Sequence, residues 1–213
     1  MKLEGEFVFD GSREEVWELV RDPEVLATAL PGTQSLNRVS ESEYQGQMSI
    51  RVGPVSGVFS GKVVVSDEVP PESYILAVEG RGAAGFASGT GNVQLIDQGD
   101  GTTLMKYEGE VQVGGKLASV GQRMLETVSK SMTRQGLETL NKALQARKTA
   151  KAEGREVEYT PPSEAEFAVA VAKDMAAEVF SPENRAVWLT VAVAIISMAV
   201  GFILGRMSSA ERR

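Results

Sequence analysis

None of the 213 residues is cysteine and none is histidine. Without cysteine there is no disulfide, no thiolate metal site and no cysteine nucleophile. Without histidine the commonest general base and metal ligand is missing too. Carboxylates, lysine and tyrosine remain for chemistry, so hydrolytic, metal-dependent and nucleophilic mechanisms are disfavoured together. An excess of positive charge is also lacking: 22 Lys and Arg stand against 29 Asp and Glu, a formal net charge of −7. Nucleic-acid binding depends on clustered cations facing phosphates, so no nucleic-acid partner is expected. The first ten residues include Lys2, Glu4 and Glu6 and lack the unbroken apolar region of a secretory signal. The globular part is therefore expected in the cytoplasm, with a hydrophobic guest or a protein partner.

Charge is wholly absent from residues 186–205, AVWLTVAVAIISMAVGFILG. At about 1.5 Å of helical rise each, twenty residues cover the roughly 30 Å hydrocarbon core of a bilayer. The expectation is a single-pass, C-terminal anchor in the cell membrane; the alternative is a buried helix of a soluble protein. Basic residues flank the span on both sides, Lys173 and Arg185 before it and Arg206, Arg212 and Arg213 after it, so they set no orientation. Ser197, Gly201 and Gly205 recur every four residues, a spacing that permits self-association through the transmembrane helix.

The rest of the chain reads as one α+β domain, residues 1–145, followed by a flexible linker at 146–163, an amphipathic helix at 164–180 and the anchor. Leu3, Gly5, Phe7 and Phe9 alternate with Glu4 and Glu6, the pattern of a half-buried strand. Ser12 with Glu15 forms a capping box before a helix, and Asp22–Pro23 starts a second, short helix running to Leu30. From about Gln34 to Val113 the period is two, broken by turn signals at 41–42, 53–54, 70–71 and 99–101, which predicts about six more strands in an antiparallel meander. After Gly114–Gly115 a long amphipathic helix carries Leu117, Val120, Met124, Val128, Met132, Leu137, Leu140 and Leu144. In the linker, Arg147, Lys148, Lys151 and Arg155 suit either the negative end of that helix or anionic headgroups.

The apolar register of each strand turns toward the helix, and glycine recurs on that inward side. Met48, Phe59, Tyr107, Leu117, Val120, Met124 and Val128 are the candidate ligand-binding residues, and Gly57, Gly61, Gly89 and Gly91 the candidate cavity-forming glycines. A glycine inside a strand removes a packing side chain, so repeated use needs a reason. It leaves either a void for a greasy molecule or a bend in a curved sheet, and the residues alone do not choose. Gly80–Arg81–Gly82–Ala83–Ala84–Gly85 matches G-x-G-x-x-G, but strand residues lie on both sides where a dinucleotide site needs a following helix. Glu79, Glu108 and Glu110 fall in the outward register and read as a solvated face. No catalytic or metal residue is assigned.

Four blocks together carry a resemblance: Leu30–Pro31–Gly32, GPVSGVFSGKV at 53–63, GRGAAGFASGTGNVQL at 80–95 and VGGKLASVGQRMLETVSKSM at 113–132. They resemble the carbon monoxide dehydrogenase G-subunit family, over about residues 1–145. The resemblance implies a START/Bet v 1-like (SRPBCC) helix-grip fold, a curved antiparallel sheet of about seven strands around a long C-terminal helix. It also implies a non-catalytic accessory protein that recruits molybdenum hydroxylase subunits, such as those of carbon monoxide dehydrogenase, to the cytoplasmic membrane. The alternatives are a pure membrane tether or assembly factor without ligand and, last, an enzyme of the cyclase or hydrolase type found elsewhere in the superfamily, for which Tyr107 is the inward polar candidate. No covalent cofactor is implied; the expected bound molecule is a lipid or quinone, menaquinone or ubiquinone.

Overall fold

The computed structural model describes residues 1–30 and 32–154, together with Glu166, Val169, Ala172 and Lys173 in helical conformation. The chain divides into two compact units, 1–171 and 172–213, and the fold below is that of the first. The expected anchor at 186–205, and most of the 164–180 helix, lie outside the described residues. Among the described residues no helix is long and apolar enough to cross a membrane.

Strand β1 (Lys2–Phe9) leads into α1 (Arg13–Leu19) and α2 (Pro23–Ala29). Both arms of the capping box form: the Glu15 backbone N–H donates to Ser12 Oγ at 3.3 Å and the Ser12 N–H donates to Glu15 Oε2 at 2.9 Å. Asp22 caps α2 by accepting from the N–H groups of Glu24 and Val25, with Pro23 in the first turn, where its missing N–H has no helical partner to lose. Six strands follow: β2 (Thr33–Arg38), β3 (Glu43–Val52), β4 (Val55–Val69), β5 (Ser73–Gly82), β6 (Gly85–Asp97) and β7 (Thr103–Gly114). Each is antiparallel to its sequence neighbour, and β1 closes on β7, so the seven-stranded sheet runs β1-β7-β6-β5-β4-β3-β2. A 3₁₀ segment (Gly115–Val120) then delivers the chain to α3 (Gln122–Glu153).

The order of elements and the inward registers agree with the sequence reading. Two boundaries differ. The six-strand meander needs a fifth turn, which is Ala83–Ala84 between β5 and β6, inside the glycine-rich 80–85 block. Alanine carries no turn signature, and the turn is made possible by Gly85: its φ is +134°, and a Cβ there would stand 2.0 Å from the Gly114 carbonyl oxygen. That hairpin, with no helix after it, is incompatible with a dinucleotide fingerprint. Second, α3 runs past 145 to Glu153, so the first part of the expected linker is helix. The segment ARKTAKAE is made of good helix formers, Ala150 is buried, and Gly154 ends the helix in a left-handed conformation.

Two basic residues of this last stretch, Arg147 and Lys148, turn to the domain. Arg147 donates to Asp22 Oδ2, and Lys148 Nζ donates to the Asp10 carbonyl at 2.9 Å. Asn141 and Gln145 donate to the Asp10 carboxylate, so the helix is tied across the junction of β1 and α1. Beneath these contacts lies the main core, where Phe9, Leu19, Leu95 and Met105 of the sheet and α1 meet Leu140, Ala143 and Leu144 of α3.

Candidate functional site

The concave face of the sheet is built in cross-strand rows, because residues directly opposite one another in an antiparallel ladder point to the same side. One row is Val111–Gly89–Val78–Val63; the next, toward the β5–β6 turn, is Val113–Ala87–Gly80–Gly61. The alternate residues of β7, Lys106, Glu108 and Glu110, are exposed on the convex side, as is Glu79 of β5, which fixes the sense of both strands.

Six of the seven candidate ligand-binding residues gather at one end, together with Gly57. Met48 and Phe59 are directly opposed, and Phe59 is 5% exposed. A Cβ on Gly57 would sit in ordinary contact, 3.5 Å from Ala84 Cβ and 3.9 Å from Phe59 Cε2. Leu117 is buried, its N–H donating to the Ala84 carbonyl at 2.8 Å, which latches the 3₁₀ segment onto the β5–β6 turn. Met124 and Val120 meet at the β3–β4 turn, where a Cβ on Gly53 would be 2.9 Å from Met124 Cε and 4.0 Å from Val120 Cγ1. Val128, one turn further along α3, is buried.

Tyr107 does not join this group. It stands in the row Gly5–Tyr107–Val93–Tyr74, whereas the Phe59 row crosses β5 at Gly82. From Tyr74 to Gly82 along β5 is about 26 Å at roughly 3.3 Å per residue. Its ring lies over Gly5, where a Cβ would fall 2.3 Å from the hydroxyl oxygen. Burial raises its pKa, which keeps the phenol neutral.

The two glycine explanations divide by position. At Gly61 a Cβ would strike the Glu79 carbonyl oxygen at 2.6 Å, and at Gly89 the Glu110 carbonyl oxygen at 2.5 Å. Those glycines admit a neighbouring backbone and let the sheet bend. Gly91 is intermediate, with Glu108 O at 3.3 Å, while Gly57 and Gly80 have room for a Cβ in ordinary contact, the nearest atoms being 3.5 and 3.9 Å away.

The space is marked by a residue the sequence reading passed over. Val78 lies mid-strand in β5, the central strand of the sheet, and faces the helix side, yet it is 42% exposed. A concave-face valine at the centre of a sheet is ordinarily covered by the packing layer. Here α3 meets the central strands at one end, where Leu140, Ala143 and Leu144 share the main core with Tyr74 of β5 and Val93 and Leu95 of β6, and Val78 lies beyond that core. The main core lies toward one end of the concave face and the buried Phe59, Ala84 and Leu117 toward the other, with the exposed Val78 between them. Val78 was obscured because Ile75 and Ala77 make both registers of β5 apolar. Glu79 and Arg81 on the outward register are the signal that identifies it.

Among the described residues no group of carboxylates is placed to hold a metal ion. Across β4–β7 the central concave rows contain no polar side chain, so those rows can desolvate and hold apolar matter.

A seven-stranded antiparallel sheet gripping one long C-terminal helix, with an apolar interior between them, defines the START/Bet v 1-like helix-grip class. Within it the chain belongs to the carbon monoxide dehydrogenase G-subunit (CoxG) family, whose model matches residues 5–145. A conserved protein from Geobacillus kaustophilus matches at 32% identity with a TM-score of 0.65, covering 68% of this chain and 95% of that one. A Thermus thermophilus protein matches at 13% identity and TM-score 0.54, covering 69% and 99%. The Zhui aromatase/cyclase of a Streptomyces species matches at 12% and 0.51, covering 73% and 99%. The last two likenesses show the fold alone. No curated protein sequence matches the chain.

Proposed function

We propose that this protein is a membrane-anchored, non-catalytic accessory protein that holds a lipophilic molecule, an isoprenoid quinone, in the interior of its sheet and serves a molybdenum hydroxylase at the cytoplasmic membrane. The observation that carries the reading is Val78, a concave-face valine open to solvent amid rows of aliphatic residues and glycine. Exposed apolar surface inside a fold is a standing free-energy cost of about 25 cal/mol per Å², which a greasy guest relieves. Membership of a family named for a dehydrogenase subunit supports the partner class, and the charge-free run at 186–205 supports the anchor. The absence of histidine and cysteine from the chain and of polar side chains from the central rows supports the non-catalytic role. A tether without ligand is the second reading, and it draws support from Gly61 and Gly89, which curvature alone explains.

The two readings separate in one experiment. The match covers 95% of the Geobacillus chain, which forms this fold without a further segment, and residues 1–154, which end with α3, are the matching preparation of this protein. Solvent extraction and mass spectrometry of this domain, purified without detergent, is expected to return an isoprenoid lipid. The Val78→Glu variant is expected to fold equally well, because the site already tolerates water, and to return none. An empty wild-type domain leaves the tether.

A further inference from the structure

We infer that the interior reads the hydrocarbon chain of its guest, while the guest's polar head stays outside the central rows; the inference rests on the lipid-binding reading above. It follows from where donors and acceptors are. The polar side chains of the concave face stand at its periphery, and three of them are engaged with backbone: Thr103 Oγ1 donates to the Gly11 carbonyl, Tyr44 Oη to the Arg21 carbonyl and Thr33 Oγ1 to the Leu30 carbonyl. Tyr74 is buried in the main core and Tyr107 is turned over Gly5. Arg38, on the outermost strand β2, donates to the carbonyls of Ser40 and Glu41.

Backbone groups of β4–β7 are taken up by the ladders on both sides. On α3, Thr127 Oγ1 donates back to the Arg123 carbonyl, and Ser131 and Gln135 are engaged in interactions of their own. A quinone carbonyl, a hydroxyl or a carboxylate drawn into these rows loses its water and gains no partner, which is unfavourable for each of those heads. A chain loses nothing.

The shape agrees. From Gly91 to Gly85 along β6 the apolar floor extends about 20 Å at roughly 3.3 Å per residue. It ends against Phe59, which is in register with Gly82 opposite Gly85. The floor is elongated along the strands and bounded at its far end by the buried Phe59, as a chain requires. Each methylene taken from water is worth about fourfold in affinity, so affinity resides in chain length.

The test is a titration of lipid-stripped residues 1–154 with probes delivered from cyclodextrin and followed by calorimetry. Menadione is a bare naphthoquinone head, phylloquinone is that head with a phytyl chain, and squalene and hexadecane are chains without heads. Phylloquinone is expected to bind, to be displaced by a headless hydrocarbon, and to exceed menadione by at least about a hundredfold. Preference for squalene over hexadecane marks an isoprenoid chain, and the reverse an acyl chain; either supports chain reading. Menadione binding within tenfold of phylloquinone, or failure of both hydrocarbons to displace phylloquinone, overturns it and leaves the lipid-binding reading intact. Failure of every probe overturns both. Val78→Glu serves as the non-binding control for each chain-bearing probe.

Discussion

At the scale of the residue, the informative contrast is between glycines that look alike in the sequence. Gly61 and Gly80 are directly opposed across β4 and β5, both on the concave face. A Cβ on Gly61 meets rigid backbone at 2.6 Å, while one on Gly80 meets nothing closer than 3.9 Å. Gly61→Ala is therefore expected to destabilise the domain by about 1–3 kcal/mol, as overpacking does. Gly80→Ala is expected to be neutral or to stabilise by up to about 1 kcal/mol, since it only restricts the unfolded chain. Urea unfolding of both variants measures the difference; equal effects would show that the two positions share one role. The same contrast makes Gly57→Leu a usable probe of the interior and Gly61→Leu a folding mutant.

At the scale of the element, the last turns of α3 are held by polar contacts to the start of the domain. Burial pushes the Asp22 carboxyl upward, but the hydrogen bond from Arg147 and those from the Val25 and Glu24 N–H groups outweigh it, and its pKa lies below the ordinary aspartate value. A carboxylate whose folded pKa is depressed contributes its stability above the unfolded value of about 3.9, and that contribution is lost as pH falls through the folded value. Arg147→Met is expected to lower stability at pH 7 by less than about 1 kcal/mol, the range of partly exposed pairs. The gap between variant and wild type should close below about pH 4. Thermal unfolding across that range checks it, and a gap independent of pH would mean that Arg147 acts through packing of its stem.

At the scale of the whole molecule, the proposed arrangement couples an apolar interior to a lipid surface. The anchor predicts that the full chain sediments with membranes through a carbonate wash and is released by detergent, whereas residues 1–154 remain in the supernatant. Full-length protein in the carbonate supernatant would remove the membrane from the proposal while leaving the interior untouched.

How much of this was legible varies with the range of the interaction responsible. The capping box at Ser12, the Pro23 start of α2 and the alternation of β1 are local, and all three stand in the structure as read. The site was half legible. Strand period placed Met48 and Phe59 on the inner face and helical period placed Met124 and Val128, but neither period reports distance along a sheet. Tyr107 was grouped with them on register alone and lies about 26 Å away along the strand direction. Arg147 and Lys148 read as linker charge because their partners, Asp22 and Asp10, lie far upstream in the chain.

By itself, then, the sequence determined the family, the order of elements and the inward face of most strands, because capping, turn chemistry and alternation act over a few residues. Only the tertiary structure decided which glycines admit a neighbouring backbone and which have room for a side chain, where α3 ends, and that Val78 lies exposed at the centre. Those outcomes depend on how close one backbone comes to another, a separation set by the curvature of the sheet and by the line along which α3 is tied down.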